Sequence, residues 1–286
     1  MKHALFAALA ALCALPAHAG DMAVTIPFAA EIGGAPFDCS GTYAGMGATA
    51  AKVTASDFRL FVSNAALLRE DGSLQPIALD QDGQWQLGDV ALLDFETASG
   101  ACTNGTPGTH TALTGTAPAG TYTGLALTIG VPFEQNHVDP TLAPAPLNTT
   151  AMFWNWQGGY KFLRIDMAPV AKMAPDTAAG QGAAKGWFLH LGSTMCDAAS
   201  KTSAPSACKN ENRMAIRLEG FDPARNTVVI DPAAVVAGAD LTVNAPETSP
   251  GCMSFPNDPD CMTVMARLGL PYMGVPAGVQ ALVTQR

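Results

Sequence analysis

The sequence predicts an all-β protein: an antiparallel β-sandwich with long disulfide-stapled loops and one or two short helices. Three observations carry this. Seven short runs of aliphatic, aromatic and β-branched residues, at 23–29, 58–64, 123–131, 160–166, 186–191, 213–218 and 227–230, are separated by clusters of Gly, Pro, Asn and Asp. Two of them, 124–129 and 214–218, alternate well enough to bury one face of an antiparallel sheet. Composition agrees: the 286 residues are 48% hydrophobic and only 14% charged, with 28 Gly and 21 Pro. That mixture can fill a core, and it does not suit a coiled coil, a long helical bundle or a disordered chain.

The N-terminus comes first. Met1, Lys2 and His3 make a short basic start, residues 4–16 are apolar, and Ala17-His18-Ala19 fits an A-x-A cleavage site. Residues 1–19 are therefore expected to be a signal peptide, leaving residues 20–286 as a single domain. The apolar run is shorter than the ~20 residues a membrane helix needs, so no membrane insertion is expected and the product should be periplasmic or secreted. A net charge of −9 makes nucleic acid a poor partner.

Export changes the meaning of the cysteines. Cys39, Cys102, Cys196, Cys208, Cys252 and Cys261 follow the cleavage site. An even number in an oxidising compartment reads as three disulfides first and as soft metal ligands second. Proximity favours Cys196–Cys208 and Cys252–Cys261, which leaves Cys39–Cys102. Residues 80–84, Asp-Gln-Asp-Gly-Gln, begin like a calcium loop but lack its distal Glu and are expected to be a turn. Residues 168–186, rich in Ala, Pro and Gly, are expected to form a long loop. Asp231-Pro232 and Asp258-Pro259 each mark a helix start, the second with Met262, Met265 and Leu268 as its apolar stripe and Gly269 as its stop.

The most unusual composition lies at 130–140, Gly-Val-Pro-Phe-Glu-Gln-Asn-His-Val-Asp-Pro, and at 152–162, Met-Phe-Trp-Asn-Trp-Gln-Gly-Gly-Tyr-Lys-Phe. In an extended segment Met152, Trp154 and Trp156 would share one face, as a core stripe or a sugar-stacking platform. Histidines brought together would suit copper or zinc, and a thioether such as Met152 or Met195 would favour Cu(I). Nucleophile-elbow, HExxH and phosphate-loop signatures are absent.

These blocks, with Phe61-Val62-Ser63-Asn64, Leu93-Asp94-Phe95-Glu96, Cys102-Thr103-Asn104-Gly105-Thr106, His190-Leu191-Gly192-Ser193-Thr194, Gly220-Phe221-Asp222 and Pro250-Gly251-Cys252-Met253-Ser254, give the sequence its resemblance. It resembles the MbnP family, exported copper-binding proteins with a four-cysteine motif, here Cys196, Cys208, Cys252 and Cys261. The resemblance implies a partner: a secreted di-haem c-type cytochrome of the peroxidase superfamily, similar to MbnH, that oxidises a tryptophan to kynurenine. The modified side chain would then contribute to the copper site, making this chain substrate and carrier rather than catalyst. Indole nitrogen offers only a hydrogen-bond donor, whereas the opened ring offers a ketone and an aromatic amine. Trp154 and Trp156 are the candidates for modification, with a lean to Trp154, which would then join the metal ligands. His137 and His190 lead the ligand candidates, followed by Met152 and then His110, with Asp139 as a ligand or a carboxylate holding an imidazole. The alternative is a carbohydrate-binding module stacking sugars on Trp154, Trp156 and Tyr160.

Overall fold

One long strand, Ala51–Leu68, organises the larger of two sheets. From Asp57 onward it is buried at every position but Asn64, as suits a strand covered on both faces. Leu163–Pro169 pairs antiparallel with its first half and Gly124–Ile129 with its second, while Val90–Asp94 pairs across Arg59–Ser63. Trp187–Leu191 extends the sheet beyond Leu163–Pro169, and Met214–Glu219 extends it beyond Gly124–Ile129. The smaller sheet is built on Asp21–Ile32, flanked by Ala112–Pro118 and by Val228–Ile230. Inward residues of both sheets, such as Ile26, Phe28, Phe61, Leu127 and Ile216, meet in one hydrophobic cluster, which makes the architecture a sandwich. The computed structural model describes residues 20–155, 157–171, 173, 185–200 and 203–286. The expected signal peptide and Trp156 lie outside them.

Alternation does what the sequence promised at Met214–Glu219, where burial strictly alternates, and at Gly124–Ile129. Two expectations need correction. The sheets are not wholly antiparallel, because Phe28–Ala30 runs parallel to Val228–Ile230 and Phe188–Leu189 parallel to Gly251–Cys252. The run 160–166 is two elements, Gly159–Tyr160 in a small hairpin and Leu163–Pro169 in the main sheet. The latter strand also claims the first two residues of the stretch expected to be a loop from 168, most of which lies outside the described residues.

Three disulfides join Cys39 to Cys102, Cys196 to Cys208 and Cys252 to Cys261, the pairing that proximity favoured. Asp82 Oδ1 accepts the backbone N–H groups of Gln84, Trp85 and Gln86, so the calcium-like loop is a turn closed on its own carboxylate. Both short helices begin after the expected Asp-Pro pairs, at Ala233–Val236 and Cys261–Arg267. In the second, Val264 rather than the 39% exposed Met262 joins Met265 and Leu268 in the core, and Gly269, at φ +77°, ends it. Among the described residues no helix is long and apolar enough to cross a membrane.

Candidate metal centre

The connection between Gly124–Ile129 and Leu163–Pro169 carries both unusual motifs. It opens with a short helix, Phe133–Asn136, and ends in a hairpin formed by Phe153–Asn155 and Gly159–Tyr160. The motif residues explain the hairpin. Asn155 Oδ1 accepts the N–H groups of Gln157 and Gly158 and so closes the turn. Gly159 adopts φ +70°, and a Cβ there would lie 2.2 Å from the Asn136 carbonyl oxygen, so only glycine lets the hairpin rest on the helix. Asn136 completes the joint by accepting the Tyr160 N–H on Oδ1 at 2.9 Å.

This local structure fixes Trp154. Its half-buried indole lies in a slot between two glycines. A Cβ on Gly192 would stand 2.5 Å from Cζ3, and one on Gly158 would stand 3.1 Å from Cε3. Phe255 lies alongside at 5.4 Å and His190 at 6.5 Å between ring centroids. A cleft of ≈ 210 Å³ opens over the indole, lined also by Ser193, Met195 and Cys196.

His190 sits on Trp187–Leu191, directly across from Arg164. Its Nε2 lies 2.6 Å from Asp166 Oδ1, and its buried Nδ1 has no hydrogen-bond partner. Burial drives the imidazole pKa down, although Asp166 opposes the shift. Burial also opposes ionisation of Asp166, but His190 and Arg164 outweigh it and hold that carboxyl at about 2. A neutral ring beside a carboxylate donates its one N–H from Nε2. The lone pair is therefore on Nδ1, buried and unused. A carboxylate holding one imidazole nitrogen while the other is left bare is the arrangement of a metal ligand, so the chemistry of this donor fits a metal ion.

Behind Asp166 runs a chain of charge. Arg164 reaches Asp166 Oδ2 at 2.6 Å and Asp57 Oδ2 at 3.1 Å, and Arg59 binds Asp57 through Nε at 2.8 Å. Arg59 Nη1 is 3.8 Å from Glu96. Burial pushes Asp94, near the same guanidinium, up to about 7, and pushes Asp258, close to Phe255, up to about 6. Both carboxyls ordinarily titrate near 3.8, so the folded state binds their protons more tightly than the unfolded state. Their stabilisation is complete below about pH 4 and is lost as pH rises through 6 and 7. Asp166 has the opposite sign, and its contribution disappears as pH falls from 3.8 towards 2. His190 and His110, whose pKa values burial lowers, act in the opposite sense over the same interval, so the Asp94 contribution is read by difference. In denaturant unfolding the stability of the parent relative to Asp94→Asn should be lower at pH 7.5 than at pH 5, and an unchanged difference would contradict the assignment.

The other expected ligands are dispersed. His137, buried behind the short helix, packs on Phe133 and places Nε2 3.1 Å from Asn136 Nδ2 and 3.5 Å from Cys208 Sγ. Met152 lies in a 3-10 turn, Thr150–Met152, and is wholly enclosed in the core, so it does not share an extended face with Trp154. Asp139 Oδ1 accepts the N–H and hydroxyl of Thr141. His110 belongs to another region, its Nδ1 2.7 Å from the Leu92 carbonyl and its ring stacked on Trp85. Tyr160 is fully buried with its hydroxyl on the Leu147 carbonyl, which removes it from any sugar platform. Sequence reasoning missed Asp166, Arg164, Gly158, Gly192 and Phe255. A signal existed for the first two: Arg164 and Asp166, like Asp57 and Arg59, are charges two apart in apolar strands and share a face.

A family model described as MbnP matches residues 21–254. Among solved structures, MbnP from Methylosinus trichosporium is 32% identical, with a TM-score of 0.82, over 93% of this chain and 98% of that one. No curated protein matches. Agreement in sequence and in three-dimensional course over nearly the whole of both chains establishes that this chain belongs to the MbnP family.

Proposed function

We propose that this is an exported copper-binding protein whose Trp154 is oxidised to kynurenine by a secreted di-haem cytochrome of the peroxidase superfamily. The remade side chain and His190 would hold the metal. The observation that carries the reading is the unpartnered, buried Nδ1 of His190 beside the indole of Trp154. Three disulfides suit an oxidising compartment outside the cytoplasm.

The oxidation balances as follows. Two equivalents of hydrogen peroxide, activated at the partner's haem, deliver two oxygen atoms and leave as two waters. The C2–C3 bond of the indole breaks, and hydrolysis of the resulting N-formyl group releases formate. An aryl ketone and an aryl amine remain, both able to face a metal where the indole N–H could not. The chain's own contribution is placement: Gly158 and Gly192 hold the ring at the floor of an open cleft, and Asp166 keeps the His190 lone pair on Nδ1.

The test uses protein produced together with its cytochrome and titrated with copper against a chelator. His190→Ala should lower affinity at least tenfold, and Asp166→Asn about 10–100-fold, with unchanged circular dichroism. Parental affinity in His190→Ala would overturn the ligand assignment. The sugar-binding alternative is weakened by the burial of Tyr160 and by the glycine backbone and Phe255 that crowd Trp154.

A further inference from the structure

We propose that Cys196, Cys208 and Nε2 of His137 form a second metal site, closed while the disulfide is intact and opened by reduction, that takes a soft cation such as Cu(I). The three donor atoms already lie within 4.8 Å of one another. The hydrogen bonds on Asn136 orient the imidazole. Its Oδ1 is committed to the Tyr160 N–H, so the group facing His137 at 3.1 Å is the amide NH₂, which only donates. His137 Nε2 therefore carries a lone pair, which accepts from the Asn136 amide and would exchange that hydrogen bond for the cation, and that atom is 3.5 Å from Cys208 Sγ.

Access separates this disulfide from the other two. Cys196 and Cys208 are half-buried, whereas Cys39, Cys102, Cys252 and Cys261 are buried. Cys196 lines the cleft over Trp154, and Cys208 lines a second cleft with Glu134, Glu211 and Arg213. A reductant can therefore reach this bond first. The two cysteines are also direct cross-strand partners in a small hairpin of Thr194–Asp197 with Ala207–Asn210. Its backbone pairing holds the sulfurs together after the S–S bond breaks.

The chemistry is a two-electron reduction followed by metal capture. A dithiol supplies two electrons and two protons, the S–S bond breaks to two thiols, and the donor departs as its own disulfide. On binding the cation both thiols lose their protons to solvent, giving one nitrogen and two thiolate ligands, a set that favours Cu(I) over harder ions. Neither Trp154 nor His190 takes part, so the site goes beyond the copper–kynurenine reading and can fail or stand independently of it.

The experiment uses the full mature chain made without its cytochrome, reduced anaerobically with a phosphine, desalted, and titrated with Cu(I) against a chromophoric chelator. Two thiols should appear before the other disulfides open, with one further equivalent of Cu(I) bound and a thiolate-to-copper absorption band. His190→Ala should keep this uptake, His137→Ala should weaken it about tenfold or more, and Cys196→Ser/Cys208→Ser should abolish it. Should the paired serine variant fold poorly, alkylation of the reduced parent supplies the readout: Cu(I) should protect Cys196 and Cys208 from modification. No uptake beyond that of the oxidised protein, unaltered affinity in His137→Ala, or no protection of the two thiols would each overturn the proposal.

Discussion

Trp154→Phe, produced alongside the proposed haem partner, should fold as the parent does, carry no kynurenine at that position, and lose at least tenfold in copper affinity. Phenylalanine keeps an aromatic ring in the slot between Gly158 and Gly192, so the packing cost is modest, about 1–2 kcal/mol for a half-buried ring. What phenylalanine lacks is the pyrrole ring whose opening yields ketone and amine. Two measurements check the expectation. Peptide mass spectrometry of the parent should show two oxygens gained and one carbonyl lost on the peptide carrying Trp154, and copper competition should separate parent from variant. Kynurenine found at Trp156 with Trp154 intact would move the modified position. Parental copper affinity in Trp154→Phe would sink the ligand reading.

How much of this was legible beforehand depends on whether a feature is local. Strand alternation at Met214–Glu219 is a period-two signal inside six residues, and the structure follows it. The Asp-Pro helix starts and two of the three cysteine pairs are equally short-range, nine and twelve residues apart, and the third, Cys39–Cys102 at 63 residues, followed as the remaining pair. Ala112–Pro118 escaped notice because its inward positions are Leu113, Gly115 and Ala117, too small to stand out as a hydrophobic face. Gly115 is small for a reason that sequence alone does not give: a Cβ there would lie 2.3 Å from the Ala78 carbonyl oxygen on the neighbouring strand. Met152 was misread because a single 3-10 turn rotates it off the face of Trp154. At the site, residue type pointed to His190 and Trp154, but what makes His190 a ligand candidate is its cross-strand register. Pairing sets Arg164 against Arg59 and Asp166 against Asp57, like charges facing like, and brings His190 opposite Arg164. Like charges directly opposite destabilise a sheet, and the diagonal contact of Arg164 with Asp57 and the same-strand contact of Arg59 with Asp57 offset that. Such a lattice depends on three strands separated by tens of residues, and a reading of one strand at a time does not reach it.

That lattice gives the largest stability effect. Arg59→Met should cost about 3–5 kcal/mol at neutral pH, the range expected when one member of a buried ionic group is removed and its partners stay charged. Arg59 is fully buried and faces Asp57, Asp94 and Glu96, all enclosed. Methionine fills much of the same volume, so the loss is of charge rather than of packing. For a chain of this length the melting temperature should fall by on the order of 10 °C. The pH dependence distinguishes charge from shape. Asp94 already titrates at about 7 with Arg59 present to lower it, and without the guanidinium it should hold its proton to higher pH still. Above pH 7 the variant's Asp94 takes up a proton where the parent's is ionised, which relieves the variant, so the stability gap to the parent should narrow as pH falls from 9 to 7 and level off below it. A gap that stays constant over that interval would show that the cost is steric. The same substitution tests the reach of the network. Arg59 holds Asp57, Asp57 shares Arg164, and Arg164 fixes the carboxylate that orients His190, so copper affinity should fall in Arg59→Met even where the folded population is complete.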